Sequence, residues 1–202
     1  MKRGDRSRVS LASRVVAGVM AAACAIGLLA ASAPEPALAQ GGDSNAEVRV
    51  TTVYIVRHSE KAPMDDPNAQ QPPTLPLSEA GKARSQRLAR MLNSAELAAV
   101  YATKTTRAHD TAKPAADQAG VAVSEYDGNT PELLAAEVMD KHAGRAVLVV
   151  GHTNTIGKAL KAFGSPVKAV IPDDDYGNIY VLSVVECGGR RSAHVQRMHF
   201  PD

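Results

Sequence analysis

"TTVYIVRHSEKA", Thr51 to Ala62, sets a β-branched apolar run directly against an arginine, a histidine, a glutamate and a lysine. Val50 to Val56 reads as a buried strand, because valine, isoleucine, threonine and tyrosine favour a pleated, packed surface. Arg57 and His58 therefore stand where that strand gives way to a loop. Proline-rich sequence from Ala62 to Pro76 has to be that loop, and an unusually long one. Beyond it, Ser78 is placed to cap a helix through "EAGKARSQRLARMLNS", with Ala83, Leu88, Met91 and Leu92 as its expected buried stripe. The pattern then alternates: strand "AAVYAT", a helix from about Thr106 to Gly120, strand "VAVSEY", helix "PELLAAEVMDKHA", strand "AVLVVG", a helix from Thr155 to Phe163, strand "NIYVLSVVE". "SAHVQRMHF" reads as a final edge strand. Alternating strands and helices predict an α/β fold, a three-layer α/β/α sandwich with a mostly parallel central sheet. Its ligands are expected outside the carboxyl ends of the strands.

The 202 residues carry a formal net charge of +2, enough chain for one ordinary domain. Aromatic residues make up only 3%, tryptophan is absent and the positive charge is scattered, which argues against nucleic acid as a partner. At the start, Lys2, Arg3, Arg6, Arg8 and Arg14 precede an uncharged run from Val15 to Ala33, and "PALAQ" supplies small residues at Ala37 and Ala39. This predicts a signal peptide over residues 1–39, export to the periplasm or medium, a polar tether over 40–49 and a single domain over 50–202. No membrane association is expected after cleavage; an uncleaved amino-terminal anchor is the alternative. Cys24 leaves with the peptide, so Cys187 has no intramolecular partner and reads as a small residue packed near a strand end.

Arg57 and His58 follow the first strand, while Gly151 and His152 follow "AVLVV", so both histidines project into one crevice. "YATKTTRAHDTA" adds Arg107 near the start of a helix, whose free N–H groups favour an anion. Two arginines and two imidazoles together suit phosphoryl transfer: guanidinium groups bind phosphate through paired charged hydrogen bonds, and an imidazole with a free nitrogen can attack phosphorus. His109, His142, His194 and His199 lack this context and read as surface or packing residues. Asn154 serves either the pocket or as a helix cap; Lys61 either adds charge near His58 or faces solvent. The three aspartates of "IPDDDYG" lack the spacing of a calcium loop and read as a solvated acidic turn. No Cys/His cluster suggests zinc, and the expectation is an enzyme without metal or cofactor.

Over roughly Val53 to Val185 the chain resembles the histidine phosphatase (phosphoglycerate mutase-like) superfamily, in its small phosphatase branch. The resemblance rests on "RHSE", "LPLSEAGKARSQRLA", "YATKTTRAHDTA" and "VLVVGHTNT", in that order. It implies that His58 is the phosphorylated nucleophile, that Arg57, Arg107 and His152 surround the phosphoryl group, and that Glu60 is a supporting carboxylate. It also implies a general acid after the third strand, where Asp127 is the candidate and Glu125 and Glu132 are alternatives; alternation places Glu125 and Asp127 on one side. The expected substrate is a small phosphorylated molecule or a phosphoprotein, with a phosphoglycerate mutase-like transferase or a non-catalytic phosphate-binding module as alternatives.

Overall fold

The computed structural model describes residues 47–63, 74–169 and 171–200. The expected signal peptide, Cys24, most of the tether and residues 64–73 of the long loop lie outside these. In chain order the elements are β1 (Arg49–Arg57), α1 (Glu79–Met91), β2 (Leu97–Thr103), α2 (Thr106–Ala119), β3 (Val123–Tyr126), α3 (Pro131–Lys141), β4 (Ala146–Gly151), α4 (Thr153–Ala162), β5 (Asn178–Cys187) and β6 (Arg190–His199). One sheet runs in the order β3-β2-β4-β1-β5-β6. β1 to β4 are mutually parallel, β5 pairs antiparallel with β1, and the edge strand β6 pairs antiparallel with β5. The result is the α/β/α sandwich with a mostly parallel sheet. Among the described residues no helix is long and apolar enough to cross a membrane.

Strand alternation divides the core between the two faces. Val53, Ile55, Val147 and Val149 meet Leu134 and Val138 of α3 and Ile156 and Leu160 of α4. Val56, Leu148 and Val150 meet Leu88 and Ala89 of α1 and four alanines of α2, Ala108, Ala112, Ala115 and Ala116. Those small side chains let α2 lie close to the sheet. The chain leaves β1 for one face and the neighbouring β4 for the other, which opens a crevice between their carboxyl ends, the place where such sheets bind ligands.

Two sequence expectations change. Helix α1 buries Gly81, Arg84, Ser85, Leu88 and Ala89, whereas Ala83 and Met91 are exposed. Its orientation follows polar docking onto the loop after β1: Ser78 N–H donates to Glu60 O at 2.9 Å, and a Cβ on Gly81 would fall 2.1 Å from that carbonyl. Arg84 then reaches the Glu60 carboxylate at 2.7 Å. Cys187 is free and exposed at the end of β5, not packed, because the hairpin turn Gly188–Gly189 carries it past the core.

Candidate active site

Arg57 ends β1, His58 follows it, Arg107 lies in the first turn of α2 and His152 is the cap residue between β4 and α4. Because β2, β4 and β1 are neighbours in the sheet, these four side chains converge from three strand ends. They line one cavity of about 550 Å³ together with Lys61, Thr153, Asn154 and Asp173.

His58 is 4% exposed. Its Nδ1 lies 2.7 Å from Ser59 O. A carbonyl can only accept, so the proton sits on Nδ1 and the Nε2 lone pair points away from the backbone. Arg107 Nε donates to that Nε2 at 3.2 Å. The His152 ring stands 5.0 Å away, centroid to centroid, edge-on at 63°. Burial, together with His152 and the charges of Arg107 and Arg57, pushes the His58 imidazole down to about 3 against the opposing bond to Ser59. His152 falls to about 4 for the same reasons, burial first, then Arg107 and Arg57. Both rings are therefore neutral near pH 7, beside two guanidinium cations.

The supports are polar and specific. Ser59 N–H donates to Thr111 Oγ1, which itself donates to Arg107 O at 2.7 Å, so one threonine ties the loop carrying His58 to α2. His152 Nε2 sits 2.7 Å from Thr103 Oγ1 at the end of β2. Gly151 has no room for a side chain: a Cβ would lie 2.6 Å from Thr155 Oγ1 and 2.9 Å from the Tyr126 hydroxyl. Glu60 points away from the pocket and pairs with Arg84, so its role is to fix the loop carrying His58.

A second cavity of about 460 Å³ shares His152 and Asn154 with the first and is otherwise lined by Thr103, Lys104, Tyr126, Asp127, Gly128, Asn129 and Thr155. Asp127 thus faces the space beside His152; its Oδ1 accepts the Asn129 N–H at 2.8 Å. Glu125 on β3 and Glu132 on α3 are exposed and outside both linings. Asn154 lines both cavities from the first turn of α4, whose cap is His152, so the capping alternative for Asn154 does not apply. Lys61 is exposed at the rim. Sequence reasoning missed Thr103, Thr111, Arg84, Asp173 and Tyr176. Thr103 was within reach, being the last residue of the strand before Arg107. The "DDDY" turn carries no local signal, since it meets Arg57 across more than a hundred residues of chain.

Among the described residues no group of three His, Cys, Asp or Glu side chains is placed to hold a metal ion. The sequence pattern of the histidine phosphatase superfamily (branch 1) matches residues 53–128, a span that contains Arg57, His58, Glu60, Arg107 and Asp127 and ends before His152. No curated protein matches the sequence. Among solved structures the chain is similar to YhfR of Bacillus stearothermophilus, with 22% identity, a TM-score of 0.55 and coverage of 72% of this chain and 96% of that one. It is also similar to the protein histidine phosphatase SixA complexed with tungstate (18% identity, TM-score 0.53, 73% and 96% covered). A mycobacterial glucosyl-3-phosphoglycerate phosphatase gives 16% identity and a TM-score of 0.53, with 68% and 91% covered. Identities this low speak to the fold.

Proposed function

The chain belongs to the histidine phosphatase superfamily, and from that membership and the pocket's geometry we propose that it hydrolyses phosphomonoesters or phosphohistidine through a phosphoryl group carried transiently on His58. The neutral Nε2 attacks phosphorus while Arg57, Arg107 and His152 surround the equatorial oxygens. The P–N bond forms as the P–O bond to the leaving alcohol breaks, and the alkoxide takes a proton for which Asp127, facing the adjoining cavity, is the candidate source. Water then attacks phosphorus and gives a proton to the Asp127 carboxylate left by the first step, the N–P bond breaks, and its electron pair returns to Nε2. A substrate dianion supplies the negative charge that the two guanidinium groups lack, and in its presence His152 can hold a proton against it. Catalysis on this reading is placement plus electrostatic stabilisation, with no metal-bound water required.

The observation that carries this reading is the fixed tautomer of His58: Nδ1 is held by the Ser59 carbonyl and Nε2 faces an arginine. A merely structural histidine has no need of a buried, cation-ringed lone pair. The test is base-quenched mass spectrometry during turnover of an aryl phosphate with chelator present, beside His58→Ala. An adduct on the peptide carrying His58, absent from the variant, supports the proposal; near-normal turnover by His58→Ala ends it. Export rests on the residue pattern of 1–39 alone, and the mass of the chain recovered from outside the cytoplasm tests it.

A further inference from the structure

The turn Pro172–Tyr176, between α4 and β5, holds Arg57. Arg57 Nη1 donates to three backbone carbonyls, Asp173 O at 2.8 Å, Pro172 O at 3.2 Å and Asp175 O at 3.4 Å. Its guanidinium carbon lies 4.2 Å from the centre of the Tyr176 ring, and Nη2 stands 3.5 Å from the Tyr176 hydroxyl. Nε is enclosed without an acceptor. Of the five N–H donors of the guanidinium, those on Nη1 are thus committed to the turn, and Nη2 is the part of the fork left to offer to the pocket.

The turn is itself braced. Asp175 N–H donates to Pro172 O at 3.1 Å, Asp175 Oδ1 accepts from Gly177 N–H, and Asp175 Oδ2 accepts from the buried Asn178 amide. Gly177 lets the chain pass beneath β6, since a Cβ there would meet His199 at 2.4 Å and Phe200 O at 2.7 Å. A braced turn whose three carbonyls meet one nitrogen, together with an aromatic face, suits a planar cation that must not rotate. The Tyr176 ring also lies 6.2 Å from the His58 ring, so it abuts nucleophile and phosphate ligand alike.

We propose that Tyr176 is a positioning residue, whose ring face, with the carbonyls of the 172–175 turn, fixes the Arg57 fork so that Nη2 meets an incoming phosphoryl oxygen. The inference rests on the phosphoryl-binding role proposed for Arg57, and its primary readout is therefore binding and not turnover. The comparison is Tyr176→Phe, which keeps the ring face and loses the hydroxyl, against Tyr176→Leu, which keeps apolar bulk and loses the face.

Inorganic phosphate is titrated calorimetrically into wild type and both variants, and kcat/KM for an aryl phosphate is measured alongside. The phenylalanine variant is expected to bind phosphate within about twofold of wild type and the leucine variant about tenfold more weakly, the size of a partly desolvated cation–ring contact. Turnover should follow the same order. Equal phosphate affinity in the two variants overturns the proposal, because a filler role would treat both alike; so does a wild type that binds no phosphate. A wild type that binds phosphate but hydrolyses nothing defeats the catalytic reading alone, and the titration still decides the role of Tyr176. Tyr176→Met gives the same comparison should the leucine variant not fold.

Discussion

Lowering the pH from 7 to 5 should cost the wild-type fold about 2 kcal/mol through His58 alone. In the unfolded chain its imidazole titrates at 6.5; in the folded protein burial and neighbouring cations depress it to about 3. Between those values the unfolded state binds the extra proton, so stability rises with pH: the contribution is present above pH 6.5 and is lost progressively as the pH falls toward 3. At pH 5 the unfolded imidazole is almost fully protonated and the folded one is not, and linkage converts the 1.5 units below 6.5 into about 2 kcal/mol. His58→Asn isolates this contribution, since its amide can still donate to Ser59 O and carries no titrating group. Urea unfolding of both proteins at pH 7 and pH 5 gives four free energies. Other groups, His152 included, cancel in the difference, because folded His58 stays neutral between pH 7 and pH 5 and so, like asparagine, places no charge beside His152. Wild type should lose about 2 kcal/mol more than the variant over this interval. An equal loss in the two proteins would refute the argument that a neutral imidazole is trapped among cations.

Three further outcomes follow from other contacts. Arg107→Lys removes the planar Nε–H that meets His58 Nε2 at 3.2 Å, and kcat should fall about a hundredfold, as for other preorganised oxyanion donors; steady-state kinetics on an aryl phosphate reads it. Gly81→Ala would ordinarily favour a helix by about 1 kcal/mol, yet the added Cβ meets the Glu60 carbonyl at 2.1 Å, so it should destabilise by about 1–3 kcal/mol in urea unfolding. Asp127→Asn should slow hydrolysis of alkyl phosphates by about a hundredfold while largely sparing aryl phosphates, whose leaving groups need no proton; equal effects on both would remove Asp127 as the acid.

The strand order was not written in the sequence, but its consequence was. Val50–Val56 and "AVLVV" are apolar runs that each stop at a histidine, and two such runs in an α/β pattern are brought side by side when they neighbour in a parallel sheet, as β1 and β4 do. Arg107 was legible for the same reason, sitting one short loop beyond β2. Local spacing fails where a side chain's partner lies far along the chain. The face of α1 was misjudged because an apolar stripe was sought, while the helix is seated by Gly81, Arg84 and Ser85 on the loop after β1. Tyr176 and Asp173 stayed hidden because only the return of the chain from α4 to β5 sets them against Arg57. A triplet of aspartates draws attention to its carboxylates, yet it is the backbone carbonyls of Asp173 and Asp175 that meet Arg57.

That use of carbonyls has an electrostatic logic. Among the described residues Arg57 and Arg107 form no ion pair with a carboxylate, although the two guanidinium groups line one cavity and repel each other. A carboxylate salt-bridged to Arg57 would relieve the repulsion but would also hold the site against any incoming anion. Neutral carbonyl dipoles satisfy Nη1 while leaving the net positive charge intact, and neutral imidazoles keep that charge from growing further. On the proposed reading, the attraction for an incoming phosphoryl dianion is drawn from charges already in place, which need no reorganisation as phosphorus is attacked. Asp173, the carboxylate on this pocket's rim, opposes that attraction. On the proposed reading, a carboxylate there favours release of the phosphate product over its retention.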